Sequence, residues 1–328
     1  MRLVIGTDDG VHVARWIPGE RSARTETEEL AGEAVPAVAR SRTRVYVATR
    51  SGDVYRSDDR GGDFQRAGSL PDDRGVSHLG APPRHPDTVF AGTEPAAIFA
   101  SHDAGASWTE QAAFSSVASD DEWRGYGGRE AHVQALAFDP HHAHRMYAGV
   151  EIGGAYRTDD GGRSWRPIND GIYDDIHVLA TDPNRPSRVY AATGGGFYRS
   201  DDRGTDWTPH DSELGQAYCT GMALEDLGDE THVYLITADG PPSSWESGDG
   251  PRAAVHKSGD GGDTWSSLGL SPLYPSREAF TAVATEPERR GGVFVATSGG
   301  ALHYGDPDME GWSRLMRGLP TIRSLVVA

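Results

Sequence analysis

The chain has 328 residues, a formal net charge of -18 and 37% hydrophobic residues. Its acidity excludes non-specific binding to nucleic acid or anionic membranes, which needs a basic footprint, and the apolar content excludes intrinsic disorder. A single cysteine, Cys219, excludes an internal disulfide framework and a cysteine-based zinc cluster, and reads as a small buried core residue.

The basic residues are 30 Arg and one Lys, Lys257. High-GC coding accounts for that bias. Together with the acidity it also fits a halophilic, salt-adapted cytoplasm, where carboxylate-rich surfaces stay hydrated. Met1 leads directly into Leu3-Val4-Ile5, and nowhere do 18 apolar residues run together, so a cytoplasmic address with no signal peptide or membrane span is expected.

Taken in chain order, the predicted elements are short strands that repeat. One set ends in a small residue followed by Thr or Val: residues 4–7, 46–49, 90–93, 147–150, 190–193, 234–237 and 294–297. A second, apolar set precedes each member but the first: residues 35–38, 76–79, 133–138, 176–180, 219–224 and 280–284, with a last copy at 322–327. Several of the second set run into an acid-proline turn, at Asp139-Pro140, Asp182-Pro183 and Glu286-Pro287. After the first set come a short strand and then Ser/Thr-x-Asp-x-Gly-x-x-Trp/Phe. The copies are Ser57-Asp59-Gly61-Phe64, Ser101-Asp103-Gly105-Trp108, Thr158-Asp160-Gly162-Trp165, Ser200-Asp202-Gly204-Trp207 and Ser258-Asp260-Gly262-Trp265. This is turn chemistry: the Asp carboxylate accepts backbone N–H bonds within its own loop, Gly takes positive φ, and the aromatic residue folds back as a plug on the hairpin.

These copies resemble the Asp-box (BNR) repeat of sialidases, sortilin-type receptors and photosystem-assembly-factor-like propellers. The resemblance implies an all-β, seven-bladed β-propeller with four-stranded antiparallel blades, in which Asp59, Asp103, Asp160, Asp202 and Asp260 are structural. Both strand sets count to seven. The N-terminus begins at the second strand of a blade and the C-terminus ends with a first strand, Ile322–Val327, so joining them completes one blade and removes an exposed edge. Residues 1–328 are therefore read as a single propeller domain. True sialidases have six blades, an Arg-Ile-Pro motif, three arginines on the substrate carboxylate and a Tyr/Glu nucleophile pair. Here Val35-Pro36 does not supply that motif, and Arg50, Arg277 and Arg323 are not a triad that any motif selects.

The boxes follow the third strand of each blade, so they occupy one face. Function is expected on the other, where the turns after second and fourth strands converge on a central funnel. Just after the second strands stand Asp8, Arg50, Glu94, Glu151, Gly194, Ala238 and Ser298, charged on one arc and small on the other. At the entry to the first strands stand His132, Asp175 with His177, Tyr218 and Arg323. Two long connections fall on the same face. One, from Ala112 to Glu130, holds Asp120, Asp121, Glu122, Trp123, Arg124, Tyr126 and Arg129; the other, from Asp239 to Arg252, holds Pro241, Pro242 and Trp245. The expected ligand-binding set is Asp8, Arg50, His132, His177, Tyr218, Trp245 and Arg323. The run His141-His142-x-His144 lies on the box face and reads as a solvated turn, and Gly194-Gly195-Gly196 leads into a strand, so it has no helix N-terminus for phosphate.

Three functions compete on these residues. A binding propeller would take a polar small molecule, a carbohydrate or a peptide. A glycoside hydrolase would use Glu94 and Glu151 as its carboxylate pair. A hydrolase or lyase would hold a divalent metal as cofactor through His132, His177 and Glu151. Oligomeric state is not legible.

Overall fold

The computed structural model describes all residues except 72–73, 118–122, 124–129, 247–248, 270–276 and 307–310. Seven four-stranded antiparallel sheets form seven blades. Their first strands are Ile322–Val327, Ala37–Arg40, Gly75–Gly80, Val133–Phe138, Ile176–Thr181, Tyr218–Asp226 and Phe280–Thr285, for blades 1 to 7 in turn. Each touches the next around the axis, and Phe280–Thr285 touches Ile322–Val327 to complete the ring. The ring closes as the sequence predicts: Ile322–Val327 pairs with Arg2–Thr7, register Leu3 to Val327 and Ile5 to Leu325. Ile322, Leu325 and Val327 bury their side chains beside Leu3, Ile5 and Trp16. Among the described residues no helix is long and apolar enough to cross a membrane.

The five Ser/Thr-x-Asp turns have one geometry. In blade 4, Thr158 Oγ1 (2.8 Å) and the Ser164 amide (2.9 Å) donate to Asp160 Oδ1, and Ser164 Oγ donates to Oδ2 at 2.6 Å. These donors hold the Asp160 carboxyl down at about 2. The following glycine has positive φ in every copy, at Gly61, Gly105, Gly162, Gly204 and Gly262. The plug folds back as expected, with Trp108 donating Nε1–H to the Gly105 carbonyl of its own turn at 3.1 Å, and it also inserts against the preceding blade. Trp207 of blade 5 packs on Ile168 and Tyr147 of blade 4 and donates Nε1–H to the Ile168 carbonyl at 2.9 Å. Trp265 of blade 6 meets Phe197 of blade 5 edge-on at 5.0 Å. The turns therefore cement neighbouring blades, because the apolar face of one sheet can be buried only against the next sheet.

Near the funnel end of the first strands, six blades carry a β-bulge. Ser77, Gln134, His177, Thr220, Thr281 and Arg323 each fall between paired residues and have no partner in the ladder. A bulge re-aims a side chain, and all six line the axial cavity. In blade 2 the same offset falls just before the paired strand, with the Arg50 amide bonded to the Ala34 carbonyl while Ala37 pairs with Ala48, and Pro36 takes the seventh position.

Candidate functional site

The cavity lies on the axis at the face opposite the Asp turns, with a volume of about 350 Å³. Besides the bulge residues it is lined by Arg50, Glu94, Glu151, His132, Tyr218 and Trp245. The sequence-predicted residues are thus brought to one place, with Asp8 one step removed: its carboxylate takes a two-point contact from Arg323, Nε at 2.7 Å and Nη2 at 2.6 Å. That bond, with the charges of Arg323 and Arg50, lowers the Asp8 carboxyl against the opposing effect of burial. Gly194, Ala238 and Ser298 are not among the lining residues.

Two imidazole–carboxylate pairs stand on adjacent blades. In blade 4, His132 Nε2 lies 2.8 Å from Glu151 Oε2 and 2.9 Å from Gln134 Oε1, so the Nε2–H is the shared donor. In blade 5, His177 donates Nδ1–H to the Cys219 carbonyl at 2.6 Å, and its Nε2 faces Asp175 Oδ1 at 3.3 Å and the Tyr218 hydroxyl at 3.4 Å. Burial pulls the His177 pKa down. The Asp175 contact, the Cys219 carbonyl and the charge of Glu151 outweigh it, and the net shift is upward. Blade 6 supplies an aromatic wall. The Tyr218 ring lies 5.0 Å from His177 and 6.3 Å from Trp245, nearly perpendicular to the latter, while Trp245 Nε1 donates to the Gly240 carbonyl.

The expected metal centre is not assembled. His132 is turned to Glu151 and Gln134, both nitrogens of His177 have protein partners, and among the described residues no group of three or more His, Cys, Asp or Glu side chains is arranged to hold a metal ion. The His141–His144 run is a turn, with Asp139 Oδ1 accepting the amides of His141 and His142. Burial pushes the Cys219 thiol up, which keeps it a thiol. Of the long 112–130 connection, Trp123 packs on Phe114 and donates Nε1–H to the Tyr156 hydroxyl, away from the cavity lining. Asp120, Asp121, Glu122, Arg124, Tyr126 and Arg129 lie outside the described residues. Sequence reasoning missed Ser77, Gln134, Thr220 and Thr281. The signal is a polar residue directly after the first apolar one in six of the seven first strands.

No family profile matches the chain. Over an aligned length of 170 positions, covering 47% of the chain, it is 30% identical to a probable oligoxyloglucan-reducing end-specific xyloglucanase of Neosartorya fischeri, of which the match spans 20%. Among solved structures, the GH74 xyloglucanase of Xanthomonas campestris superposes with a TM-score of 0.70 at 18% identity, over 97% of this chain and 52% of that one. YCF48 bound to D1 peptide superposes with a TM-score of 0.58 at 16% identity, over 86% of this chain and 82% of that one. These similarities establish the propeller fold that the chain shares with them.

Proposed function

We propose that the axial cavity is a carbohydrate site of glycoside-hydrolase type, with Glu94 and Glu151 as the reacting carboxyl groups. One observation carries this reading: two carboxylates from neighbouring blades line the same cavity as an aromatic wall. Sugar recognition draws on that combination, with apolar ring faces against aromatic rings and hydroxyls against fixed polar groups. The stretch similar to a xyloglucanase adds support for the substrate class. The His132 N–H at 2.8 Å holds the Glu151 carboxylate in a fixed orientation at the cavity wall, which suits Glu151 to the base or nucleophile role. Glu94 is then the acid that protonates the departing glycosidic oxygen. The five Asp turns, on this reading, are Asp-boxes of the BNR type and take no part in the chemistry.

The test is release of reducing ends from xyloglucan and its oligosaccharides. Glu151→Gln and Glu94→Gln should each cut the rate by roughly 10²–10⁴-fold. If both variants turn over like the wild type, the carboxylate pair is wrong. A second reading is binding without turnover of a peptide segment, favoured by the peptide-bound YCF48 structure, which this chain matches over most of both lengths. Calorimetry that finds peptide affinity and no sugar affinity would select it.

A further inference from the structure

The Gly194-Gly195-Gly196 turn has no role in the axial cavity and is the one place in the sequence where three glycines adjoin. It joins the second and third strands of blade 5, Val189–Thr193 and Gly196–Ser200. Backbone conformation does not explain it, because of the three only Gly196 has a positive φ. The explanation is steric. A Cβ on Gly194 would collide with Asp175 Oδ2, one on Gly195 would lie 2.5 Å from Cγ of Tyr173, and one on Gly196 would collide with Asp211 Oδ2. Three side chains are seated directly on the backbone of the turn. All three come from the connections that flank blade 5 on the funnel face. The turn runs from an inner strand to an outer one, so Asp175, Tyr173 and Asp211 follow one another from the axis toward the rim. Asp175 is also the partner of His177 in the cavity wall.

Tyr173 is 48% exposed, one of two large apolar side chains so exposed among the described residues. Blade 4 shows what the same seat does when its purpose is structural. A Cβ on Gly153 would lie 2.7 Å from Cδ1 of Trp123. Trp123, however, is half-buried, packs at a tilt on Phe114 and spends its N–H on the Tyr156 hydroxyl. There the ring on the glycine seat anchors a connection. In blade 5 a ring sits on the same glycine seat, but about half of it stays exposed.

We infer that Tyr173, flanked by Asp175 and Asp211, is a second saccharide subsite, and that the ligand is a chain of sugars running from the axial cavity outward over blade 5. A ring fixed against backbone has little conformational freedom to lose; Asp211 can accept bonds from hydroxyls at the edge of a stacked sugar, while Asp175, turned to His177, ties the seat to the cavity wall. This rests on the carbohydrate reading of the cavity, and the two can be separated by ligand length. Titration calorimetry with a ladder from cellobiose to cellohexaose is compared for the wild type, Tyr173→Ala, Tyr173→Trp, Gly195→Ala and Trp245→Ala. Wild-type affinity should climb with length. Tyr173→Ala should lose roughly three- to tenfold for the long ligands alone, the value of one stacking contact. Tyr173→Trp should keep that increment, and Gly195→Ala should lose it, since the new methyl evicts the ring. Trp245→Ala should weaken short and long ligands alike. If Tyr173→Ala follows the wild type at every length while Trp245→Ala weakens all of them, the outer subsite is refuted and the cavity reading stands. If no member of the ladder binds the wild type, both fall together.

Discussion

Replacing Asp160 by Ala tests the claim that the Asp turns are structural and electrostatically tuned. The change removes three hydrogen bonds, from Thr158 Oγ1, the Ser164 amide and Ser164 Oγ. At a net ~0.5–1.5 kcal/mol each, with two donors able to turn to water, the loss at neutral pH is about 1–2 kcal/mol. The pH dependence gives an independent figure. The carboxyl sits at about 2 in place of its ordinary 3.8, a difference worth at most ~2.5 kcal/mol. The group is within reach of solvent, and screening reduces that to ~1 kcal/mol. Because the folded value is depressed, this part is fully present above the ordinary value and is lost as pH falls from there toward about 2. Urea unfolding of wild type and Asp160→Ala at pH 7, 5 and 3 should show a gap of about 1–2 kcal/mol that narrows only at the lowest pH. The same variant should bind sugar like the wild type, since the turn lies on the opposite face from the cavity. A gap as large at pH 3 as at pH 7 would refute the electrostatic part, and no gap at any pH would refute the structural part.

Ile322→Ala on the closing strand should cost about 2–4 kcal/mol, because Ile322 is fully buried between the first and last blades; chemical denaturation measures it, and a loss below about 1 kcal/mol would mean that the ring does not depend on this seam. His177 should titrate above its ordinary 6.5 when followed by NMR, and Asp175→Asn should bring it down. Its raised value means that the ion pair with Asp175 stabilises the fold fully below pH 6.5 and is lost as pH rises through the folded value. A His177 that titrates below 6.5 would overturn that assignment.

The blade pattern was legible because it is written in local chemistry. Runs such as Tyr190-Ala191-Ala192-Thr193 and the Ser/Thr-x-Asp turns specify strand and hairpin within a few residues, and the complementary ends specify the closure. Arg50, Glu94 and Glu151 could be placed at the funnel because each stands at the end of a second strand or within two residues of it. What stayed hidden is non-local. Nothing near Trp207 says that its partner is Ile168 of the neighbouring blade, and nothing near His177 says that its Nδ1 proton goes to the carbonyl of Cys219, 42 residues on. The metal expectation rested on residue types alone; the bond directions that decide ligation, His132 toward Gln134 and Glu151 of its own blade and His177 Nδ1 toward the Cys219 carbonyl of the next, are not written in the local sequence. The bulges were missed because one extra residue does not break the apolar pattern; Val133-Gln134-Ala135 reads as ordinary alternation until the register is known.

Those bulges separate two tasks that most strands must combine. A side chain standing outside the ladder can change without disturbing its sheet, so the lining of the axial hole can be rewritten one blade at a time. Grafting an imidazole in place of Thr220, or a carboxamide in place of Thr281, alters selectivity at a chosen compass point and leaves the architecture alone. The molecule offers a rotary dial of interchangeable settings.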